Sequence, residues 1–314
     1  MGEKLTICDV GPRDGLQNQA THVPAEDKRH LIRELHGAGL RYIEATSFVN
    51  PKAVPQMADA AEVLPAANEL QGLRALALMM NDKGYALARE AGVRGITVVA
   101  VCSETLAMKN NRRPARETIA TAKRIVDMAR ADDVYVRVCL AAAWHCPYDG
   151  ASDQGRVLGF AEEVWEMGVD ELSVADTIGH AQPVEVRDLL KKLVDRYGSK
   201  VSAHFHDTQA LGLANAAAAL DAGVRILDSS VAGLGGCPFA KGAAGNLATE
   251  DLVLMAHKMG YETGIDLDKL WKVVAQTEGM VKKPTGGRTL GWWKSHQENL
   301  AAKANLCSGL PGHN

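Results

Sequence analysis

His204 and His206 stand two residues apart at the end of an apolar run, Val201–His206. Side chains at i and i+2 of a strand share one face, so a strand here carries both imidazoles to the same side. Two neutral imidazoles and one carboxylate form a divalent-metal set that leaves coordination positions open for a substrate. Asp14 can supply the carboxylate, from the segment Gly11-Pro12-Arg13-Asp14-Gly15-Leu16-Gln17. The competing reading is a pair of hydrogen-bonded core histidines; two on one face at a strand end favour the metal. Cys237 is the second chemical feature. It lies in Gly233-Leu234-Gly235-Gly236-Cys237-Pro238, with Gly242 and Gly245 following. A thiol in a glycine-rich loop reads as an active-site lid that brings an acid or base to substrate. A P-loop phosphate cradle fails because Lys241 is followed by Gly rather than Ser or Thr. Arg13-Asp14 alone also reads as a turn ion pair. Asp207 and Glu250 read as supporting or capping groups, with Thr249-Glu250-Asp251 composed like a helix start.

Strand-like runs at Leu5–Val10, Tyr42–Phe48, Leu73–Met79, Gly95–Val101, Val134–Ala141, Glu171–Asp176, Val201–His206 and Ile226–Ala232 alternate with helical patterns. Their near-continuous apolar character predicts parallel strands covered on both faces. Helices are predicted over Pro24–His36, Arg116–Ala131 and Pro183–Tyr197, the last with Val184, Leu189, Leu190, Leu193 and Val194 inward. Ala-Gly or Met-Gly pairs before the next strand (38–40, 91–93, 167–169, 222–224) supply left-handed helix exits. Eight such units predict an α/β fold, a (β/α)8 TIM barrel with a C-terminal helical extension. An open doubly wound sheet is the alternative, but no dinucleotide fingerprint accompanies it. Active sites of barrels lie at the carboxyl ends of the strands. Five of the eight runs deliver ionisable groups there: Arg13 and Asp14 with Gln17; Glu44 with Ser47; Asp176; the histidine pair; and the glycine-rich loop through Lys241. After Asp251 a helix to Met259 and another over Leu267–Gln276 precede a Trp-containing tail. Residues 1–280 therefore read as the catalytic barrel and 281–314 as a cap or oligomer contact.

Composition narrows the function classes. The 314 residues carry 35 Lys plus Arg against 38 Asp plus Glu, a net charge of −3, which argues against a nucleic-acid binder. Aromatics at 5% are too few for a base-stacking platform. No apolar run approaches the ~20 residues of a membrane span, and no signal peptide precedes the strand-like sequence at Leu5. Met1–Thr6 fits the short N-myristoylation pattern but places Thr6 inside the first strand. Cys8, Cys102 and Cys139 within apolar runs read as buried thiols in a reducing, cytoplasmic setting.

At these motifs the chain resembles the hydroxymethylglutaryl-CoA lyase family. The resemblance rests on Asp9-Val10-Gly11-Pro12-Arg13-Asp14-Gly15-Leu16-Gln17-Asn18 and on Ser229–Pro238 continuing through Asn246–Leu252. Ile43–Phe48, Asp176–Gly179 and His204–Thr208 also match, and the likeness spans about residues 4–280. It implies a Mg2+ or Mn2+ ion held by Asp14, His204, His206 and Asn246, and Arg13 facing the thioester oxygen. It further implies Cys237 as lid acid/base, Glu44 and Asp176 as support, and Arg137 near the substrate carboxylate. Arg13, Gln17, Ser47 and Arg137 form the substrate-facing set. The implied reaction cleaves 3-hydroxy-3-methylglutaryl-CoA to acetyl-CoA and acetoacetate, and a homo-oligomer is expected. The chain departs from the family at Gln209–Gly212, at Trp144-His145 and at Cys139. Those departures leave citramalyl-CoA or a longer-branched 3-hydroxyglutaryl-CoA as alternative substrates. A Claisen synthase, a 2-His-1-carboxylate iron oxygenase and an inactive CoA-binding barrel are the other readings.

Overall fold

The computed structural model describes residues 2–236 and 245–308. Eight parallel strands close into a barrel: β1 (Thr6–Asp9), β2 (Tyr42–Phe48), β3 (Arg74–Met79), β4 (Gly95–Val101), β5 (Tyr135–Ala141), β6 (Glu171–Asp176), β7 (Val201–Phe205) and β8 (Ile226–Ser229). Each pairs with the next in sequence, and β1 closes on β8 through Thr6↔Ile226 to Asp9↔Ser229. All seven residues of β2 and all six of β6 are buried. Burial on both faces means that even their polar members, Glu44, Thr46 and Ser47 on β2 and Glu171, Ser173 and Asp176 on β6, lie inside the fold rather than on a solvent face. A small hairpin, His145–Cys146 with Gly150–Ala151, is inserted after β5.

The helix Ala115–Ala131 buries Thr118, Ile119, Ala122, Ile125, Val126 and Ala129, the predicted stripe. The helix Pro183–Tyr197 opens with a capping box between Gln182 and Glu185. Leu189, Leu190 and Leu193 face inward as expected, but Val184 is exposed and Val186 takes the buried place. Val184 sits in the first turn, before the helix meets the barrel. Gly39 and Gly92 leave their helices at positive φ, as the predicted left-handed exits require.

Three strands end earlier than their apolar runs, and each early ending builds part of the site. β1 stops at Asp9 and passes into a wide helical turn, Gly11–Gly15, in which the amides of Arg13, Asp14 and Gly15 all donate to Val10 O. β7 stops at Phe205, and His206 instead forms an antiparallel bridge with Asn246. β8 stops at Ser229; Ser230 bridges Ala248, and Ala232 turns the chain at φ +59°. After the barrel come helices Thr249–Lys258 and Leu267–Val281, then a final helix, Leu290–Ser308, whose Trp293 stacks on Trp271 at 5.0 Å. Among the described residues, no helix is long and apolar enough to cross a membrane.

Candidate active site

The carboxyl mouth of the barrel gathers Asp14, His204 and His206. One ligand atom from each lies within 4.8 Å of the others. His204 and His206 come from one edge, two residues apart with ring centroids 5.2 Å apart, and Asp14 arrives on the turn after β1. Asn246 completes the group. Its Nδ2 donates to Asp14 Oδ2 at 2.8 Å and to Leu234 O at 3.1 Å. With its donors spent, Asn246 Oδ1 has no partner among the described residues, and neither has the buried His206 Nδ1. Buried polar atoms are normally paired. Two orphans beside a carboxylate and a second imidazole are what a cation site leaves when its ligands are in place. A set of two oxygens and two imidazole nitrogens fits a divalent cation.

Protonation suits that role. Burial pushes the Asp14 carboxyl up, but the Arg13 guanidinium and the two imidazoles outweigh it and hold the carboxyl at about 2. Burial, with His204 alongside, pushes His206 down to about 4, so its imidazole is neutral at pH 7. Burial also works against the imidazolium of His204, yet the hydrogen bond and charge of Asp228 raise it overall.

Arg13 lies beside the cluster. Its Nη1 donates to Asp14 Oδ1 at 2.6 Å, and its Nε donates to Glu44 Oε2. Gln17 Nε2 donates to Asp14 Oδ1 at 3.2 Å. Glu44 is fully buried on β2, at a register shift that re-aims the strand between Glu44 and Thr46. Ser47 follows on the same strand, and its buried hydroxyl is unpartnered among the described residues. Ser173 on β6 has the same status. No motif marked Ser173; its position inside the inward pattern of β6, two residues after Glu171, was the available signal.

Arg137 sits deeper. It is 2% exposed and donates to Thr97 Oγ1 (3.1 Å), Asp228 Oδ1 (2.8 Å) and Glu44 Oε1 (3.0 Å). Asp176 accepts from the amides of His180 (3.0 Å) and Ala181 (3.0 Å) and so shapes the loop after β6. Asp228, which no motif singled out, lies between Arg137 and His204. A carboxylate inside an apolar strand was the only hint of it.

The glycine-rich loop begins and ends against this cluster. A Cβ on Gly235 would lie 2.5 Å from Asn246 Nδ2, and one on Gly245 would lie 2.0 Å from Gly233 O. Only glycine lets the two ends pass so closely at the mouth. Cys237 and Lys241 lie outside the described residues. Glu250 fastens the loop's base: it accepts from Ala232 N (3.0 Å) and from Gly287 N in the tail (2.6 Å). Asp251 accepts from Arg288 N (2.7 Å), and Arg288 reaches Asp207 at 2.7 Å. The tail therefore straps the loop's base in cis. The His145–Trp144 departure also faces a helix: His145 Nε2 lies 3.1 Å from Glu185 Oε2 and Trp144 Nε1 donates to Glu185 O.

Barrel and cluster together define a class, the (β/α)8 enzymes that work at the carboxyl ends of their strands with a site able to hold a divalent metal. Comparison with known proteins gives the family. A family model described as HMGL-like matches residues 4–276, and the chain belongs to that family. It is 38% identical over 294 residues to the hydroxymethylglutaryl-CoA lyase of Bacillus subtilis, covering 93% of this chain and 98% of that one. The crystal structure of the Bacillus subtilis HMG-CoA lyase superposes with a TM-score of 0.89, covering 93% of this chain and 98% of that one. The mitochondrial hydroxymethylglutaryl-CoA lyase of Mus musculus is 42% identical over 269 residues, 85% of this chain and 83% of the relative. The chain is an enzyme of this lyase type.

Proposed function

We propose that the chain cleaves 3-hydroxy-3-methylglutaryl-CoA into acetyl-CoA and acetoacetate by a retro-Claisen, retro-aldol-type reaction. The observation that carries the reading is the convergence of Asp14, His204 and His206 within 4.8 Å beside two orphaned polar atoms. Asp14, His204, His206 and Asn246 would hold Mg2+ or Mn2+. The cation, when bound, supplies Lewis-acid polarisation that makes the 3-hydroxyl easier to deprotonate.

The 3-hydroxyl gives up its proton to solvent water as the bond between C2 and C3 breaks; C3 becomes the ketone of acetoacetate and the electron pair stays on C2 as a thioester enolate. Arg13 is the fixed donor for the enolate oxygen, and preorganised donors of this kind are worth on the order of 10²–10³ in rate. Its guanidinium stays charged and aimed because Glu44 and Asp14 flank it. Gln17 and Ser47 add polar contacts to substrate at the mouth, and Arg137 acts from the layer below through Glu44, to which it donates. Cys237 supplies the proton that quenches C2, since a thiol near pKa ~8.5 is mostly protonated at pH 7. Asp176 holds the loop after β6 through the amides of His180 and Ala181. The free thiols of Cys8, Cys102, Cys139 and Cys146 suit a reducing cytoplasm, and exposed Trp292 on the last helix offers apolar surface to a second copy.

The test is a panel of 3-hydroxyacyl-CoA thioesters with acetyl-CoA release as readout, with Mg2+ and after chelation. Equimolar acetyl-CoA and acetoacetate from the methylglutaryl thioester, lost on chelation, is the expected result. Absence of cleavage, or release of free CoA thiol when an α-keto acid and acetyl-CoA are supplied, would contradict it.

A further inference from the structure

We propose that Asp228 is the positioning carboxylate of this site and that, through Arg137 and Glu44, it locks His204 to Arg13. The inference rests on the metal reading above. Asp228 lies on β8 inside the barrel, 3% exposed, in register with His204 on β7. Its Oδ2 faces His204 Nδ1 at 3.2 Å, and its Oδ1 accepts from Arg137 Nη1 at 2.8 Å. Arg137 Nη2 donates to Glu44 Oε1 at 3.0 Å, and Glu44 Oε2 accepts from Arg13 Nε. One unbroken run, His204–Asp228–Arg137–Glu44–Arg13, thus joins the metal side of the site to the oxyanion side.

Each link has a physical consequence. With Nδ1 engaged by Asp228, the ring of His204 is fixed with Nε2 facing outward, and a carboxylate behind an imidazole makes it a better ligand. Arg137 reaches two carboxylates at once because guanidinium is a planar fork; a lysine ammonium has no such fork. His204, Asp228, Arg137 and Glu44 are buried and Arg13 is half-buried at the mouth, so releasing one charge of the buried four strands another and favours the observed arrangement. Glu171 provides the comparison. Its Oε1 lies 3.7 Å from Arg137 Nη1, yet it is bonded by Tyr42, Tyr135 and Ser202 and reaches neither His204 nor Arg13.

The experiment titrates Mn2+ into the chelator-stripped full-length protein, reading free Mn2+ by electron paramagnetic resonance, with kcat and KM measured in parallel. Asp228→Asn is expected to weaken Mn2+ binding on the order of 10–100-fold. Glu171→Gln is expected to melt earlier and to bind Mn2+ as the wild type does. Arg137→Lys keeps the charge but not the fork; its kcat should fall on the order of 10–100-fold with KM nearly unchanged, and it carries the test alone if Asp228→Asn does not fold. Wild-type affinity in Asp228→Asn, equal weakening in Glu171→Gln, or wild-type kcat in Arg137→Lys would overturn the proposal. A wild-type protein that binds no Mn2+ would overturn the metal reading itself, and the positioning role with it.

Discussion

The two ends of the barrel treat polar atoms in opposite ways. At the amino-terminal end, Glu171 takes hydrogen bonds from Tyr42, Tyr135 and Ser202 at 2.8, 2.8 and 2.6 Å, and Arg74 stacks over the Tyr135 ring at 4.1 Å. At the carboxyl end, His206 Nδ1, Asn246 Oδ1 and Ser47 Oγ are buried without partners among the described residues. A cavity of about 900 Å3 opens at the amino-terminal end, lined by Lys4, Arg41, Tyr42 and Arg74 among others. At the carboxyl mouth the candidate site is marked by unsatisfied donors and acceptors clustered beside a carboxylate rather than by empty space. One end satisfies its own polar groups; the other leaves polar atoms that a substrate and an ion would satisfy.

Substitutions at the two ends should separate accordingly. The largest effect belongs to His206→Ala, which would remove a proposed ligand: bound metal after dialysis should vanish and turnover should fall by at least ~10³. Full metal occupancy in the variant would erase the contrast. Next is Arg13→Gln, for which kcat should drop on the order of 10²–10³ with a smaller change in KM; a loss confined to KM would reassign Arg13 to ground-state binding. At the opposite end, Tyr42→Phe deletes one donor to Glu171. It should cost about 1–3 kcal/mol of stability and leave kcat/KM unaltered, as denaturant melts and steady-state assays would show. The smallest effect is a pH dependence at Glu250. Burial raises its carboxyl from 4.5 to about 7, so the fold favours the neutral acid. The unfolded chain ionises first as pH rises, and stability from this group falls between pH 4.5 and 7 and then levels. Glu250→Gln lacks that loss, so the melting difference between wild type and variant should narrow from pH 5 to pH 8.

The barrel was legible because its parallel strands are buried on both faces, so eight largely apolar runs separated by helices read directly as eight units. His204 and His206 were legible through strand parity, and Asp14 through its place after β1. Strand endings were not, because Ala232 is turned at φ +59° by a hydrogen bond to Glu250, a contact between segments distant in sequence. Asp228 was hidden for a related reason: within Ile226–Ala232 it looks like a polar interruption, and only the closed barrel sets it against His204 and Arg137. The tail read only as a cap or an oligomer contact, and its contacts with the base of the glycine-rich loop were not legible. Gly287 and Arg288 carry no motif, and their partners Glu250 and Asp251 read as helix-start residues.

The central claim is that Asp14, His204, His206 and Asn246 share one divalent cation at the carboxyl mouth. Anomalous diffraction from crystals grown with Mn2+ tests it directly. The account predicts a single strong peak bounded by those four side chains; a peak elsewhere, or those side chains ordered around no peak at saturating Mn2+, would contradict it.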